Sequence, residues 1–280
     1  MYKKNNYYIY RTMALLSIVF VIIFAAVVMA VVGIVFNLIK KMREKDRDSP
    51  WIIKGIWDAK QKKIVKQDPK ITNAITLRRS DNERGGIEFS YALWFLVDDW
   101  NYQYGYWKHL FHKGSSTGYP DRCPGVLLHK TTNAIRVYLN TYKKINEYID
   151  IEDIPIGPWV HLVVVVKGMS VDIYINGRIT KSRKLTSHPR QNYGDLFVCD
   201  YKGFSGQIAN MRYYNRSISY NEIDNLVSAG PGNKSCVDTN NIPPYLNSKW
   251  WNKNHQPTKD LKKHSQQLAK EQHLKDSGSN

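Results

Sequence analysis

The residues of this chain best suited to chemistry lie in one polar and aromatic stretch, the loop expected at positions 98–107. Two neighbouring carboxylates beside an amide offer the oxygen ligands that calcium prefers. The aromatic rings could stack on a sugar ring or pack into a protein partner. An aromatic loop that covers the end of a domain would have a similar composition, so both interpretations stay open. The candidate ligand-binding residues are Asp98, Asp99, Trp100, Asn101, Tyr102, Tyr104 and Tyr106.

Histidine and cysteine form no recognisable motif for metal binding or nucleophilic catalysis. His161 follows Trp159 at the start of an apolar run, where we expect a structural role. Cys123, Cys199 and Cys236 lack the spacing of a zinc site. They are also too few and too scattered for a disulfide framework, although Cys123 and Cys199 could pair if the fold brings them together. The sequence therefore predicts no metal site at these residues and favours a reducing compartment.

Positive charge is concentrated after an apolar segment near the N-terminus. The formal net charge of the 280 residues is +17, which favours polyanionic partners. No recognised nucleic-acid-binding motif accompanies the lysines, so nucleic acid is not favoured. A basic residue near an anionic leaflet gains on the order of 1 kcal/mol, although a solvated linker would have the same composition. The residues predicted to lie at the membrane surface are Lys40, Lys41, Arg43, Lys45 and Arg47.

The apolar segment itself predicts a helix that crosses a membrane. Positions 13–36 carry no charge, and a helix of that length covers roughly 36 Å against a hydrocarbon core of about 30 Å. The apolar region of a cleaved signal peptide is shorter. We therefore expect a short tail over residues 1–12 and a retained single-pass membrane span over residues 13–39.

The basic residues on each side of the span indicate the side of the membrane on which the C-terminal domain lies. More basic residues follow the span than precede it, which favours the cytosolic side. Two sequons, at Asn215 and Asn233, are possible glycosylation sites and would matter only on the lumenal side. A turn role also explains the first of them, so we expect the domain to be cytosolic.

Beyond position 70, short strand-like runs alternate with turn signals, as in an all-β sandwich. The run from Val160 to Val166 is apolar on both faces, which predicts a strand with protein packed on each side. The next run, from Val171 to Ile175, alternates as a half-buried strand does. Asn176-Gly177 then supplies the two positive-φ residues of a type I′ turn. A short helix from Tyr220 to Ser228 is expected to close the domain.

Two motifs in this region carry a family resemblance. The first runs from Gly157 to Gly177 and reads Trp-x-His, an apolar run, then Tyr-Ile-Asn-Gly. The second begins at Gly203 as Gly-Phe-Ser-Gly-Gln-Ile and continues to Ile223. Together they resemble the laminin G-like, concanavalin A-like lectin/glucanase superfamily over about residues 71–230. The resemblance implies a two-sheet antiparallel jelly roll that usually binds a ligand and only sometimes catalyses.

Because the superfamily includes glucanases, the chain has to be tested for catalytic carboxylates. Retaining glycosidases need two carboxyl groups about 5 to 5.5 Å apart, and the glucanase members place them on one strand as Glu-x-Asp-x-x-Glu. The nearest string starts at Glu222, lacks the last acid and falls in the predicted closing helix. Glu152 and Asp153 form an isolated pair before a proline. We therefore expect a protein that is not an enzyme.

The predicted architecture is an all-β, two-sheet antiparallel jelly-roll sandwich, concanavalin A-like, preceded by one transmembrane α-helix. Residues 40–70 are predicted to form a basic juxtamembrane linker, 71–230 the sandwich, and 231–280 a polar, basic C-terminal tail. No cofactor is expected, although calcium would suit the loop at positions 98–107.

The leading functional hypothesis is a membrane-anchored binding module, a lectin-like domain that recognises a glycan or a protein surface next to a bilayer with anionic headgroups. The alternative is structural. A minor capsid protein anchored in the internal membrane of a virion would link that membrane to the capsid shell of a large DNA virus. The Lys-, Asn-, Ile- and Tyr-rich composition is similar to that of such proteins.

Overall fold

The computed structural model describes residues 2–80, 83 and 86–232, with backbone alone for residues 2–12, 14–19, 21 and 22. An N-terminal helix is followed by two antiparallel sheets of six strands each and a second helix. The elements are α1 Tyr2–Asp48, β1 Ile56–Asp58, β2 Lys63–Val65, β3 Glu88–Asp99, β4 Lys108–Gly114, β5 Arg122–Leu128, β6 Ile135–Leu139, β7 Glu147–Ile151, β8 Val160–Lys167, β9 Ser170–Ile175, β10 Arg178–Lys184, β11 Asp195–Val198, β12 Ser205–Tyr214 and α2 Tyr220–Ala229.

The two sheets form a sandwich. Sheet A has the strand order β1-β12-β3-β8-β9-β10, and sheet B has the order β2-β11-β4-β5-β6-β7. Neighbouring strands pair antiparallel in both sheets. The predicted all-β antiparallel jelly roll of the concanavalin A type, preceded by one apolar helix, is confirmed.

Strand β8 lies inside sheet A and is buried on both faces. Val164 and Val166 belong to the main core between the sheets. Val163 and Val165 face the other way and pack with residues of the α2 region. The run of valines is therefore explained by protein on both sides of one strand.

The Asn-Gly turn that follows β9 has the predicted geometry. Asn176 has φ 50° and Gly177 has φ 79°, as the central residues of a type I′ turn require. Strand β10 then returns beside β9, with Arg178 opposite Ile175.

Helix α2 covers the outer face of sheet A. Its Ile223 is fully buried and packs, with Ile218, in a cluster that also contains Ala92. At the start of α2, the carboxylate of Glu222 accepts a hydrogen bond from the backbone N–H of Ser219 at 3.0 Å, which is one half of a capping box. The predicted closing helix is therefore present and is bound to the sheet by apolar packing.

Helix α1 is longer than the predicted span at both ends, since it begins at Tyr2 and ends at Asp48. Lysine, arginine, methionine and glutamate dominate positions 40–45 and are strong helix formers, so charge alone does not end the helix. The segment Ile23–Asp48 is long and apolar enough to cross a membrane. A signal sequence can satisfy the same criterion.

Residues 40–70 are not a linker in the structure. After α1, the chain enters the sandwich directly, and Ile52, Ile53 and Trp57 are buried in its core. Strand β1 pairs with β12 and strand β2 with β11. Each strand has three residues, too short for an alternating pattern to stand out among the lysines. Asn233 and nearly all of the predicted tail, residues 231–280, lie outside the described residues.

The end of α1 is held by the sandwich. The carbonyl oxygen of Asp48 accepts a hydrogen bond from the backbone N–H of Asn215 at 3.0 Å. The Asp48 carboxylate forms an ion pair with Arg78 at 3.2 Å. Arg212 Nε donates to the carbonyl oxygen of Ser49 at 2.9 Å. These contacts join the last turn of the helix to β12 and to the segment before β3.

Candidate functional site

The loop after β3, where the sequence predicts ligand binding, contains two anchored aromatic side chains. Trp100 packs against the main core, and Lys108 Nζ lies 4.9 Å from its ring centroid. The Tyr102 hydroxyl donates to the carbonyl oxygen of Lys202 at 3.1 Å. Both rings therefore fix the loop to the domain, as expected of a loop that covers one end of the sandwich.

The remaining predicted residues of this loop face solvent. Tyr104 and Tyr106 are 59% and 72% exposed, and Asp98 and Asn101 are also exposed. Asp99 Oδ1 accepts a hydrogen bond from the Asn101 backbone N–H at 2.8 Å. Among the described residues, no group of three or more His, Cys, Asp or Glu side chains is placed to hold a metal ion. Calcium binding at this loop stays a prediction.

The outer face of sheet B carries a row of flat side chains that come from separate strands. His112 on β4 lies opposite Phe197 on β11, and the two rings stack at 4.8 Å. On the other side, His112 lies opposite Gly125 on β5, which lies opposite Tyr138 on β6. Tyr138 lies opposite Tyr148 on β7. Residues opposite one another in a sheet share a face, so the strand register builds this row.

Gly125 leaves a gap in the row, and the side chain of Arg122 fills it. A Cβ atom on Gly125 would lie 2.9 Å from Cδ of Arg122. The Arg122 guanidinium carbon lies 3.5 Å from the ring centroid of Tyr138, and its Nε donates to Asn146 Oδ1 at 2.6 Å. The absence of a side chain at Gly125 therefore allows a cation to lie against an aromatic ring.

A second arginine is held between two rings beside this row. The guanidinium carbon of Arg136 lies 4.0 Å from the ring centroid of Tyr148 and 4.8 Å from that of Trp107. Its Nε and Nη2 donate to the two oxygens of Asp150 at 2.6 and 2.7 Å. This bidentate contact raises the pKa of Arg136. We call Trp107, Arg122, Arg136, Tyr138 and Tyr148 the stacked face.

The charge of Arg122 is not balanced within the stacked face. Among the described residues, no carboxylate forms an ion pair with it. Burial lowers the pKa of Arg122, which is the direction expected when a cation loses contact with water. An anionic group that approached this surface would meet a partly desolvated guanidinium.

Two histidines farther along the row form a hydrogen-bonded relay. The Asp200 backbone N–H donates to His109 Nδ1 at 3.0 Å, His109 Nε2 lies 2.6 Å from His112 Nδ1, and His112 Nε2 lies 2.9 Å from the Ser115 carbonyl oxygen. Because that carbonyl can only accept, His112 Nε2 carries a proton and its Nδ1 accepts from His109. Both rings are neutral in this arrangement, and burial lowers the pKa of both. The relay fastens the 200 and 115 segments to β4.

Other residues considered for chemistry have structural surroundings. His161 lies 4.8 Å from Trp94 between ring centroids, and burial lowers its pKa to about 4, which fits the expected structural role. Cys123 and Cys199 are buried free thiols, so they do not form the disulfide that the sequence allowed. Burial raises the pKa of Cys123 to about 12, which keeps its thiol protonated and unreactive.

The carboxylates tested for glycosidase chemistry lie in unsuitable surroundings. Glu222 in α2 accepts hydrogen bonds from both Nη atoms of Arg216 at 2.9 and 2.6 Å. This contact lowers the pKa of Glu222 to about 2, so the group is a poor proton donor near neutral pH. Glu152 and Asp153 are exposed residues after β7.

The predicted membrane-surface residues Lys40, Lys41, Arg43, Lys45 and Arg47 are exposed along the last turns of α1. Asn215 lies in the turn after β12, beside the end of α1. In the same sequon, the Ser217 hydroxyl donates to the buried Glu88 carboxylate at 2.5 Å. This contact is a structural reason for Ser217, and glycosylation at Asn215 stays a prediction.

Comparison with protein families identifies the domain. A laminin G-like family model, described as the concanavalin A-like lectin/glucanases superfamily, matches residues 70–224, which is more than half of the 280 residues. The chain belongs to this superfamily. The matched segment contains the stacked face, while α1 and strands β1 and β2 precede it.

Among solved structures, this laminin G-like chain is similar to binding domains of botulinum neurotoxins. The serotype G binding domain is 18% identical with a TM-score of 0.42, over 51% of this chain and 36% of that one. The receptor-binding domain of neurotoxin D is 13% identical with a TM-score of 0.45, over 60% and 41%. The serotype D ligand-binding domain in complex with N-acetylneuraminic acid is 11% identical with a TM-score of 0.43, over 51% and 36%.

The chain thus spans well under half the length of these neurotoxin domains. Comparison with curated proteins gives no match.

Sequence reasoning missed the stacked face, although one signal for it was present. On β6, Ile135, Val137 and Leu139 are buried in the core. Arg136 and Tyr138 alternate with them and therefore point outward. An arginine and a tyrosine at alternate positions of an otherwise aliphatic strand indicate an outer surface with aromatic and cationic character.

Proposed function

We propose that this chain is a membrane-anchored, non-catalytic binding module that recognises a glycan or a protein surface through the stacked face. The observation that carries the proposal is the packing of arginine and aromatic side chains on the outer face of sheet B. Arginine, tyrosine and tryptophan are the residues that most often dominate binding energy at protein interfaces. Flat rings also stack on sugar rings.

The stacked face is held in place before any ligand arrives. Arg136 is fixed by two hydrogen bonds to Asp150 and by the rings on either side of it. A side chain that is already ordered loses little conformational entropy when it binds. This preorganisation favours a recognition role over a purely structural one, because neither arginine lies in the core between the sheets.

The exposed part of the 98–107 loop borders the stacked face and belongs to the proposed site. The Gly105 backbone N–H donates to the Lys130 carbonyl oxygen at 3.1 Å. Lys130 Nζ lies 6.0 Å from the ring centroid of Trp107. Tyr104 and Tyr106 can therefore contact a ligand that extends beyond the stacked face.

We propose that α1 anchors the domain in the bilayer. Its exposed basic residues at positions 40–47 would lie near the headgroups, where an anionic leaflet attracts them. The excess of these residues over those before the span favours a cytosolic domain. The hypothesis of a virion protein that contacts a capsid shell rests on composition alone and stays a prediction.

Binding can be tested with the full chain in phosphatidylcholine nanodiscs on an array of neutral and acidic glycans. We expect Tyr148→Ala and Arg122→Gln each to weaken binding at least about tenfold, since truncation of a binding hot spot costs roughly 2 kcal/mol or more. The matched control is Tyr220→Ala, because Tyr220 is 61% exposed on α2. Equal loss in Tyr148→Ala and Tyr220→Ala would exclude the stacked face. If no glycan on the array binds, the glycan part of the proposal is wrong and a protein surface remains as the proposed ligand.

The anchor is tested by protease treatment of sealed vesicles that contain the full chain. A retained span with a cytosolic domain predicts that externally added protease removes the domain from inside-out vesicles but not from right-side-out ones. Removal of α1 during biosynthesis, seen as a shorter mature chain by mass spectrometry, would contradict the anchor.

A further inference from the structure

A cavity of about 630 Å³ lies beside sheet B and shares no residue with the stacked face. Its walls come from the segment after β2, from Gln67 to Ser80, and from the segment before β11, from Asn192 to Asp195. Lys113, near the end of β4, completes the wall. Neither the proposed recognition role nor the core packing accounts for this cavity.

Two cations in the cavity wall have carbonyl oxygens as partners. Arg79 Nη2 donates to the Gln191 carbonyl oxygen at 3.2 Å, and its guanidinium carbon lies 4.4 Å from the ring centroid of Tyr193. Lys113 Nζ donates to the carbonyl oxygens of Asn192 and Gly194 at 2.8 and 3.1 Å. Within the described part of the chain, neither cation is in an ion pair.

The third donor of the Lys113 ammonium group is only weakly used. It carries three N–H bonds, and the two carbonyl oxygens use two of them. Its remaining contact in the cavity wall, Asn192 Oδ1, is long at 3.5 Å. The residue is only 8% exposed, and burial lowers the pKa of Lys113 to about 8. An added anion would give the third donor a closer acceptor. It would also stabilise the charged form of Lys113, which burial disfavours.

Two other charged side chains of the wall, Asp195 and Arg78, are in ion pairs. The Asp195 carboxylate accepts hydrogen bonds from Lys66 Nζ at 2.7 Å and from the Gln67 backbone N–H at 3.1 Å. The Asp68 carboxylate accepts from the Lys70 backbone N–H at 2.9 Å and is in no ion pair among the described residues, so it leaves one negative charge in the wall. Arg78 is paired with Asp48. Arg79 and Lys113 are therefore the two cations of the wall outside an ion pair, and together they outnumber the one unpaired carboxylate.

We propose that this cavity binds a phosphate monoester carried on a small organic body. A monoester carries about −1.5 to −2 charges at neutral pH, which matches two positive side chains better than a single carboxylate does. The Arg79 guanidinium offers a fork to two phosphate oxygens, and the Lys113 ammonium acts as a point charge. Leu77 and Pro69 give the cavity an apolar wall for the body of the ligand.

The phosphate can come from a soluble ester or from a lipid headgroup. Arg78 in the cavity wall pairs with Asp48, the last residue of α1. The helical stretch from residue 39 to Asp48 is about 13 Å long at 1.5 Å per residue. A phosphorylated headgroup that projects from the bilayer therefore carries the phosphate monoester that the site requires and would lie near the cavity.

The test uses the full chain in phosphatidylcholine nanodiscs, with glucose 6-phosphate titrated by calorimetry and glucose as the neutral control. We expect a Kd below about 1 mM for the ester and no measurable binding of glucose. Arg79→Gln should weaken ester binding at least about tenfold, and Arg79→Lys should weaken it less, because lysine keeps the charge and loses the fork. Arg178→Gln, on the exposed strand β10, controls for net charge.

The source of the phosphate is tested by adding phosphatidylinositol 4-phosphate to the nanodiscs, with phosphatidylinositol as the matched lipid. Competition with glucose 6-phosphate in the unmodified chain, lost in Arg79→Gln, would assign the site to a lipid headgroup. Ester binding without competition would assign it to a soluble ligand. Failure of the unmodified chain to bind the ester, or equal weakening by Arg79→Gln and Arg178→Gln, would overturn the proposal. Loss of glycan binding at the stacked face would leave it unaffected.

Discussion

The two outer faces of the sandwich differ in what covers their side chains. On sheet A, Val163 and Val165 lie beneath the α2 region, whose Ile223 is fully buried. On sheet B, no helix among the described residues covers the outward side chains, which include Tyr148 at 42% exposure. A sandwich needs only its inner faces for the main core. The outer face of sheet A therefore adds buried apolar surface, whereas the outer face of sheet B stays partly open to solvent, as the proposed recognition role requires.

The buried histidines show the same contrast. On sheet A, His161 packs against Trp94 with the two rings tilted by 40°, and its Nδ1 has no hydrogen-bond partner within the described part of the chain. On sheet B, His109 and His112 use ring nitrogens in a relay with the backbone. On sheet A, His161 therefore packs as an apolar ring. On sheet B, the hydrogen bonds of His109 and His112 hold loops in position.

Truncation of the helix that covers sheet A should have the largest effect. Ile223→Ala removes a fully buried side chain and should lower the free energy of unfolding by roughly 2–5 kcal/mol. Denaturant unfolding in detergent measures the loss. Tyr220→Ala on the exposed side of α2 should change it by less than about 0.5 kcal/mol. Equal effects of the two variants would show that α2 does not stabilise sheet A.

Acid should destabilise the protein through its neutral histidines. The pKa of His161 is about 4 in the folded state and about 6.5 in an unfolded chain. Between these values the unfolded state binds more protons, so stability is complete above pH of about 6.5 and falls as pH drops toward 4. A shift of this size corresponds to roughly 3 kcal/mol.

His161→Phe separates the acid-induced loss of stability that comes from the histidine of sheet A from the loss that comes from the histidines of sheet B. It should flatten part of the loss below pH 6.5 or so and leave the part that comes from His109 and His112, whose pKa values are also lowered. At neutral pH its stability should lie within about 1 kcal/mol of the unmodified chain, because it removes no described hydrogen bond of Nδ1. An unchanged pH profile would contradict the assignment.

Gly125→Ala tests whether the stacked face depends on the gap in the row. The added Cβ would lie 2.9 Å from Cδ of Arg122 and should move that side chain away from Tyr138. We expect a loss of roughly 1–3 kcal/mol in unfolding free energy, with a loss of ligand binding similar to that of Arg122→Gln. NMR of the Arg122 side chain reports the ring contact. A retained contact would mean that Gly125 is not required for it.

The smallest effect should come from Glu222 at the start of α2. Its folded pKa of about 2 lies below the unfolded value, so its contribution is present above about pH 4.3 and is lost as pH falls toward 2. The side chain is 38% exposed, which limits the contribution to less than about 1 kcal/mol. Glu222→Gln should remove this part of the acid dependence. A larger change would indicate that α2 depends on this ion pair rather than on its apolar face.

The fold was predictable where the pattern lies within one stretch of chain. The valine run of β8 and the Asn176-Gly177 turn identify neighbouring strands without any knowledge of distant residues. Strands β1 and β2 escaped because each has three residues in a lysine-rich segment. Their pairing partners, β12 and β11, are far away in the sequence, and single-sequence patterns do not report such pairings.

The stacked face was harder to predict because its members are dispersed. Trp107, Arg122 and Tyr148 come from different strands or strand ends, and only the sheet register brings them together. The 98–107 loop drew attention because its aromatics are adjacent in sequence. Two of them, Trp100 and Tyr102, turn out to be anchored by contacts that involve Lys108 and Lys202.

Because α1 continues without a break to its junction with the sandwich, the rotational orientation of the domain about the helix axis is fixed. Each helical residue turns the chain by about 100° and advances it by about 1.5 Å. For a chain anchored through α1, one residue inserted between position 39 and Asp48 would swing the domain about the helix axis by more than a quarter turn. The number of residues in this helical stretch therefore determines the direction in which the stacked face points relative to the membrane.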